Sequence, residues 1–86
     1  MTKEKQIPQK FHPGEYLKEE LKSRNMKLSY FSIESKLPVL LLSEIIEGKA
    51  SISQGIARRL EKALGISAQM WLNLQRAWDE HEKEET

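Results

Sequence analysis

Residues 27–49 read KLSYFSIESKLPVLLLSEIIEGK, and the breaks in that stretch decide the architecture. A short segment opens near Lys27, carries Phe31 and Ile33, and runs to Ser35, where Lys36-Leu37-Pro38 interrupts it. Proline has a fixed φ and no N–H to donate, so Pro38 suits the first position of a new helix. Gly48 ends that second helix, because glycine accepts the left-handed backbone at which helices commonly stop. Two short helices joined by a break of three or four residues result.

On the N-terminal side of this pair, residues 1–10 (MTKEKQIPQK) are polar and lysine-rich with Pro8, and read as a flexible arm. His12-Pro13-Gly14-Glu15 then supplies a cap, a proline at the first helical position and a carboxylate at the third, with Phe11 and Tyr16 spaced as a hydrophobic staple. A helix from Pro13 to about Arg24 follows, burying Leu17 and Leu21. On the C-terminal side, Ser53 caps a fourth helix in which Ile56, Leu60 and Ala63 or Leu64 recur at helical spacing, and Gly65 stops it. Ile66-Ser67 opens a fifth, with Ile66 and Trp71 again at staple spacing. Five short helices without strand candidates, internal repeats or low-complexity linkers give an all-α bundle. One domain over residues 11–80 is expected, followed by an acidic tail at 81–86.

Composition narrows the function classes. The chain has 86 residues, 38% apolar and 31% charged, which suits one small domain with a modest core. Having no cysteine excludes a disulfide framework and any thiolate site. The N-terminus lacks the apolar run of a signal peptide, and the longest apolar run, Leu37 to Leu42, is far short of a membrane span, so a cytoplasmic protein with no membrane partner is expected. The net charge of +1 hides an asymmetry: residues 1–78 hold 13 basic and 8 acidic groups, a balance of +5, whereas Asp79, Glu80, Glu82, Glu84 and Glu85 face Lys83 alone. A basic body is compatible with a phosphate backbone as partner, and equally with a solvated surface. Catalysis has no support. His12 and His81 stand at opposite ends, the four glycines are dispersed rather than grouped as a phosphate loop, and no metal-ligand spacing occurs; no cofactor and no small-molecule substrate are expected.

The helix pair is the helix-turn-helix pattern, whose second helix enters the DNA major groove. At about 100° per residue, Leu42, Ile45 and Ile46 fall within about 100° of one another and form the inward stripe. Leu40 and Glu44 then point outward, with Ser43 and Glu47 beside them and Val39 and Leu41 on the flanks.

Taken together, HPGEYLKEEL at 12–21, Leu37-Pro38, LSEIIEGKASIS at 42–53 and ARRLEKALGISAQMWLNLQ at 57–75 resemble the HigA antitoxin family, the plasmid-maintenance antidote branch of the lambda-repressor-like, or XRE-type, helix-turn-helix proteins. The resemblance runs from His12 to about Asp79. It implies a five-helix lambda-repressor-like fold, often dimeric, that binds operator DNA, represses its own operon and neutralises a HigB-type mRNA-cleaving toxin. In that register Val39, Leu40, Ser43 and Glu44 occupy the DNA-reading positions, while Lys27, Ser29, Lys36 and Lys49 are placed to meet phosphates. Arg58, Arg59 and Lys62 form a second basic cluster. Leu41 and Trp78 are assigned to a dimer or partner contact, with Trp71 and Leu74 in the core.

Several residues depart from the family pattern. Related repressors usually read bases with glutamine, arginine, serine or asparagine, through directional hydrogen bonds. Here only Ser43 and Glu44 can hydrogen-bond; glutamate can accept from cytosine N4, and leucine can pack on a thymine methyl. Leu28 stands where a glutamine is usual, Ser32 where alanine is, and Lys36 where the turn glycine is. If the turn keeps its shape, Lys36 bears a strain of about 1 kcal/mol. The apolar patch of Val39, Leu40 and Leu41 also supports an alternative, a protein-interaction module whose degenerate helix-turn-helix binds protein instead of bases.

Overall fold

The imidazole of His12 caps the first helix itself: Nδ1 accepts a hydrogen bond from the Gly14 N–H at 2.9 Å, and Pro13 follows at the first helical position. The computed structural model describes the backbone of residues 12–85 and the side chains of residues 12–82, so the 1–10 arm and the Phe11–Tyr16 staple lie outside the described residues. Over that range the chain forms α1 (Pro13–Ser23), α2 (Leu28–Ser35), α3 (Val39–Ile46), α4 (Gln54–Leu64) and α5 (Ala68–Glu85). This is the expected all-α, five-helix arrangement.

Most ends fall where local chemistry put them. Ser53 Oγ accepts from the Ile56 N–H, Ser67 Oγ accepts from the Met70 N–H, and Gly65 closes α4 at φ 78°. Pro38 differs by one position: it is extended, with ψ 144°, and serves as the cap that precedes α3 rather than its first residue. Its carbonyl accepts from the Leu42 N–H. At the other end α3 stops at Ile46, and Gly48 takes the left-handed backbone two residues later. Residues 81–85 continue α5, so the boundary drawn after residue 80 falls inside a helix.

The core joins Leu17 and Leu21 of α1, Phe31 of α2, Leu42 and Ile45 of α3, Leu60 and Leu64 of α4 and Trp71 of α5, with Leu37 and Ile52 contributed by the connections. Each buried leucine or isoleucine contributes about 1.5–3 kcal/mol by leaving water. On α4 the buried stripe is Ala57, Leu60 and Leu64, with Ile56 and Ala63 only partly covered. α1 packs on α3 and α5, while α2 packs on α3 and α4. The α1–α3 contact is close because Gly14 has no side chain: a Cβ there would run into the carbonyl of Ile45.

Two polar side chains tie the connections to this frame. Gln75, buried on α5, accepts the Ile52 N–H through Oε1 at 2.8 Å and donates from Nε2 to Asp79 Oδ1. The guanidinium of Arg24 donates to the Leu64 carbonyl at 2.9 Å, joining the end of α1 to the last turn of α4. Unmet, either buried backbone group would cost about 1–3 kcal/mol.

Candidate nucleic-acid interface

Between α2 and α3 the chain turns in three residues, and the turn is held from inside. Ser32 Oγ donates to the Leu37 carbonyl at 2.6 Å, and Ser35 Oγ donates to the Phe31 carbonyl at 2.8 Å. Lys36 sits at φ 61° and ψ 33°, the left-handed region. The turn has therefore kept the shape that favours glycine, with lysine bearing the strain. Ser32, which stands where alanine is usual, supplies the hydrogen bond that fixes the turn.

This turn projects α3 with its inner face buried and its outer face open. Leu42 and Ile45 are fully covered, whereas Leu40 is 71% and Val39 45% exposed. Ser43 and Glu44, one turn further on, are half-buried. The four reading candidates thus share one face of the helix, apolar at its start and hydrogen-bonding at its middle. Leu41 and Ile46 lie partly buried against the core.

The phosphate candidates separate into groups. Lys27, the cap of α2, and Ser29 are exposed at the start of that helix. Lys36 lies about 13 Å further along the helix axis. There it lines a shallow cleft with Glu34, Ser35, Arg59 and Lys62, and so stands with the α4 basic cluster rather than with Lys27. Lys49, beyond α3, pairs with Glu47 at 3.2 Å. Both partners are well exposed, so the pair adds about 1 kcal/mol or less and leaves the ammonium in reach of an anion.

Trp78 is half-buried within its own protomer. Its ring meets His12 edge-on at a centroid distance of 5.2 Å and lies 6.4 Å from His81 at a tilt. Burial pushes the His12 pKa down from 6.5, against weaker opposing pulls from Glu15, Asp79 and Glu82. A neutral ring with its proton on Nε2 is also what the cap requires, since Nδ1 must accept.

Sequence reasoning missed one surface. Tyr30 and Ile33, three apart on α2, are 51% and 73% exposed, and with Val39 and Leu40 they are the large apolar side chains open to solvent among the described residues. All four belong to the helix-turn-helix. The described residues hold no group of three metal-ligating side chains, and no helix there is long and apolar enough to cross a membrane.

No protein-family model matches the chain. A helix-turn-helix-type transcriptional regulator of Escherichia coli K12, YddM, is 36% identical over 74 residues, which are 86% of this chain and 79% of that protein. Among solved structures, an addiction module antidote protein of the HigA family from Coxiella burnetii is similar with a TM-score of 0.79 at 36% identity, over 84% of this chain and 79% of that one. The Pseudomonas aeruginosa antitoxin HigA, solved with the higBA promoter, gives 0.77 at 30% identity over 81% and 77%. With both a regulator and solved antidote proteins matched at this identity over most of their lengths, the chain belongs to the HigA-type antitoxin family of helix-turn-helix transcriptional regulators.

Proposed function

We propose that this chain binds operator DNA as a homodimer to repress its own operon, and neutralises a HigB-type mRNA-cleaving toxin. The observation that carries the DNA reading is the open outer face of α3, with Val39, Leu40, Ser43 and Glu44 projecting from a helix held rigidly by its buried side. A second protomer supplies the other reading helix, because operator half-sites one helical turn apart need two such helices on a two-fold axis. Lys27, Ser29, Lys36 and Lys49 meet phosphates around the groove. Leu41 and the open side of Trp78 contribute to the contact with the second protomer or the toxin. The solved Pseudomonas aeruginosa relative with its promoter supports the DNA partner, and the antidote relatives support the toxin. Cytoplasmic work without catalysis or cofactor completes this reading.

A second reading uses the same scaffold as a protein-interaction module, favoured by the apolar exposure of Tyr30, Ile33, Val39 and Leu40. Titrating the purified protein against the DNA upstream of its own gene, and against a scrambled fragment, at low and high salt separates the two. Non-specific binding is mostly counterion release and fades with salt, whereas base contacts preserve a preference. A promoter preference that survives added salt supports the repressor; equal, salt-erased binding supports the interaction module.

A further inference from the structure

We infer that α3 reads its operator through the C5-methyl groups of thymines, with Val39 and Leu40 as the specificity-determining side chains. This rests on the repressor reading proposed above and names the base chemistry of that same site.

The major groove offers hydrogen-bonding edges on every base pair but an apolar group only on thymine. A helix that starts its outer face with two exposed branched aliphatics has nothing to offer the first kind of feature and a good match for the second. Val39 and Leu40 occupy the first two positions of α3, and hydrogen-bonding chemistry begins one turn later with Ser43 and Glu44. Leucine and valine would cover thymine methyls, and the Glu44 carboxylate would accept from a cytosine N4 amino group deeper in the groove. The similar Pseudomonas aeruginosa antitoxin, solved with its promoter, favours DNA over an apolar protein as the occupant. Residues 27–49 carry Lys27, Lys36 and Lys49 against Glu34, Glu44 and Glu47, so the segment is neutral overall and the choice of occupant does not rest on charge.

The energetic expectation is modest and specific. Removing a methyl from a covered contact costs about one methylene's transfer free energy or less, which is about threefold in affinity per methyl and, with two contacts from each protomer of the dimer, roughly a hundredfold for the four. No hydrogen bond changes when thymine becomes uracil, so the loss reports the methyl.

The test compares the upstream DNA of the gene made with thymine and the same fragment made with uracil throughout, each bound by the full chain at one salt concentration, alongside scrambled fragments of both kinds. Roughly hundredfold weaker binding to the uracil promoter, with no change on scrambled DNA, is expected. The same comparison with Leu40→Ala and Val39→Ala, both at exposed positions and each present in both protomers, should shrink the thymine–uracil ratio by about tenfold each. A promoter preference unaffected by uracil overturns the inference and leaves the repressor reading standing. A uracil effect that persists undiminished in both variants also overturns it, because the methyls would then be sensed through DNA shape. If the protein shows no preference for its promoter over scrambled DNA, both the repressor reading and this inference fall.

Discussion

α3 and α4 are built alike on the inside and oppositely on the outside. Each buries a stripe at helical spacing, Leu42 and Ile45 in one and Ala57, Leu60 and Leu64 in the other. The outer face of α4 carries Arg58, Arg59, Glu61 and Lys62, as water requires of a helix with one side in solvent. The outer face of α3 begins with Val39 and Leu40. Folding does not account for that difference, because the same frame holds both helices. The partner chemistry proposed above does: the apolar surface at the start of α3 is open to water in the free chain, and α3 is the helix that the turn presents.

The comparison breaks most severely at Gly14. Its missing side chain lets the start of α1 lie against the Ile45 carbonyl, so α3 is seated from below by a backbone-to-backbone contact. Replacement by alanine forces α1 and α3 apart and should destabilise the protein by about 3 kcal/mol or more, at the upper end of overpacking costs. Thermal unfolding of Gly14→Ala measures it. A loss below about 1 kcal/mol would mean that the two helices can separate freely, and that the seating of α3 is less rigid than its outer face requires.

One pair of substitutions on α3 itself sharpens the contrast between faces. Leu42→Ala empties a fully buried site and should cost about 2–5 kcal/mol, whereas Leu40→Ala, two residues away, should stay within about 0.5 kcal/mol. Binding reverses the order: Leu40→Ala should weaken promoter affinity without changing the unfolding midpoint. Denaturant melts and DNA titrations on the same two variants check both halves. Equal destabilisation by the two would mean that Leu40 is covered in solution.

Which parts of this contrast were legible from the chain follows from how far each determinant acts. Gly48, Ser53 and Gly65 work within one helical turn, so most helix ends could be read locally; Pro38 missed by one position because an extended cap and a first helical residue make the same use of proline. The inner stripe of α3 was also readable, since Glu44 and Ser43 break its apolar run and give the periodicity a direction. α2 offers no such direction. Leu28, Tyr30, Phe31 and Ile33 surround it almost evenly, and only packing against α3 and α4 selects Phe31 for the interior and leaves Tyr30 and Ile33 outside. Long-range contacts were likewise invisible: Gln75 reaches back 23 residues to the Ile52 N–H, and Trp78 finds His12 across the whole bundle. Of the candidate site, the sequence placed the four candidate reading residues on one helical face, but it could not show that Lys36 sides with Arg59 and Lys62.

Lys36 gives the smallest effect and tests the turn that holds the two helices at their angle. Its left-handed backbone costs a lysine about 1–2 kcal/mol, and glycine would recover this minus the extra freedom it adds to the unfolded chain, a net stabilisation of about 0.5–1 kcal/mol. Lys36→Gly also removes a cation from a cleft that already holds Arg59 and Lys62, so Lys36→Ala is the necessary companion: it removes the charge and keeps the strain. The stability difference between the two variants isolates the backbone term, and no difference would mean that the turn has relaxed. Binding reads the charge separately. If Lys36 meets a phosphate in each protomer, both variants should flatten the salt dependence of promoter affinity by about two units of slope for the dimer, alike and independently of their different effects on stability. A slope unchanged in both would remove Lys36 from the proposed phosphate contacts and leave Lys27, Ser29 and Lys49 as the candidates.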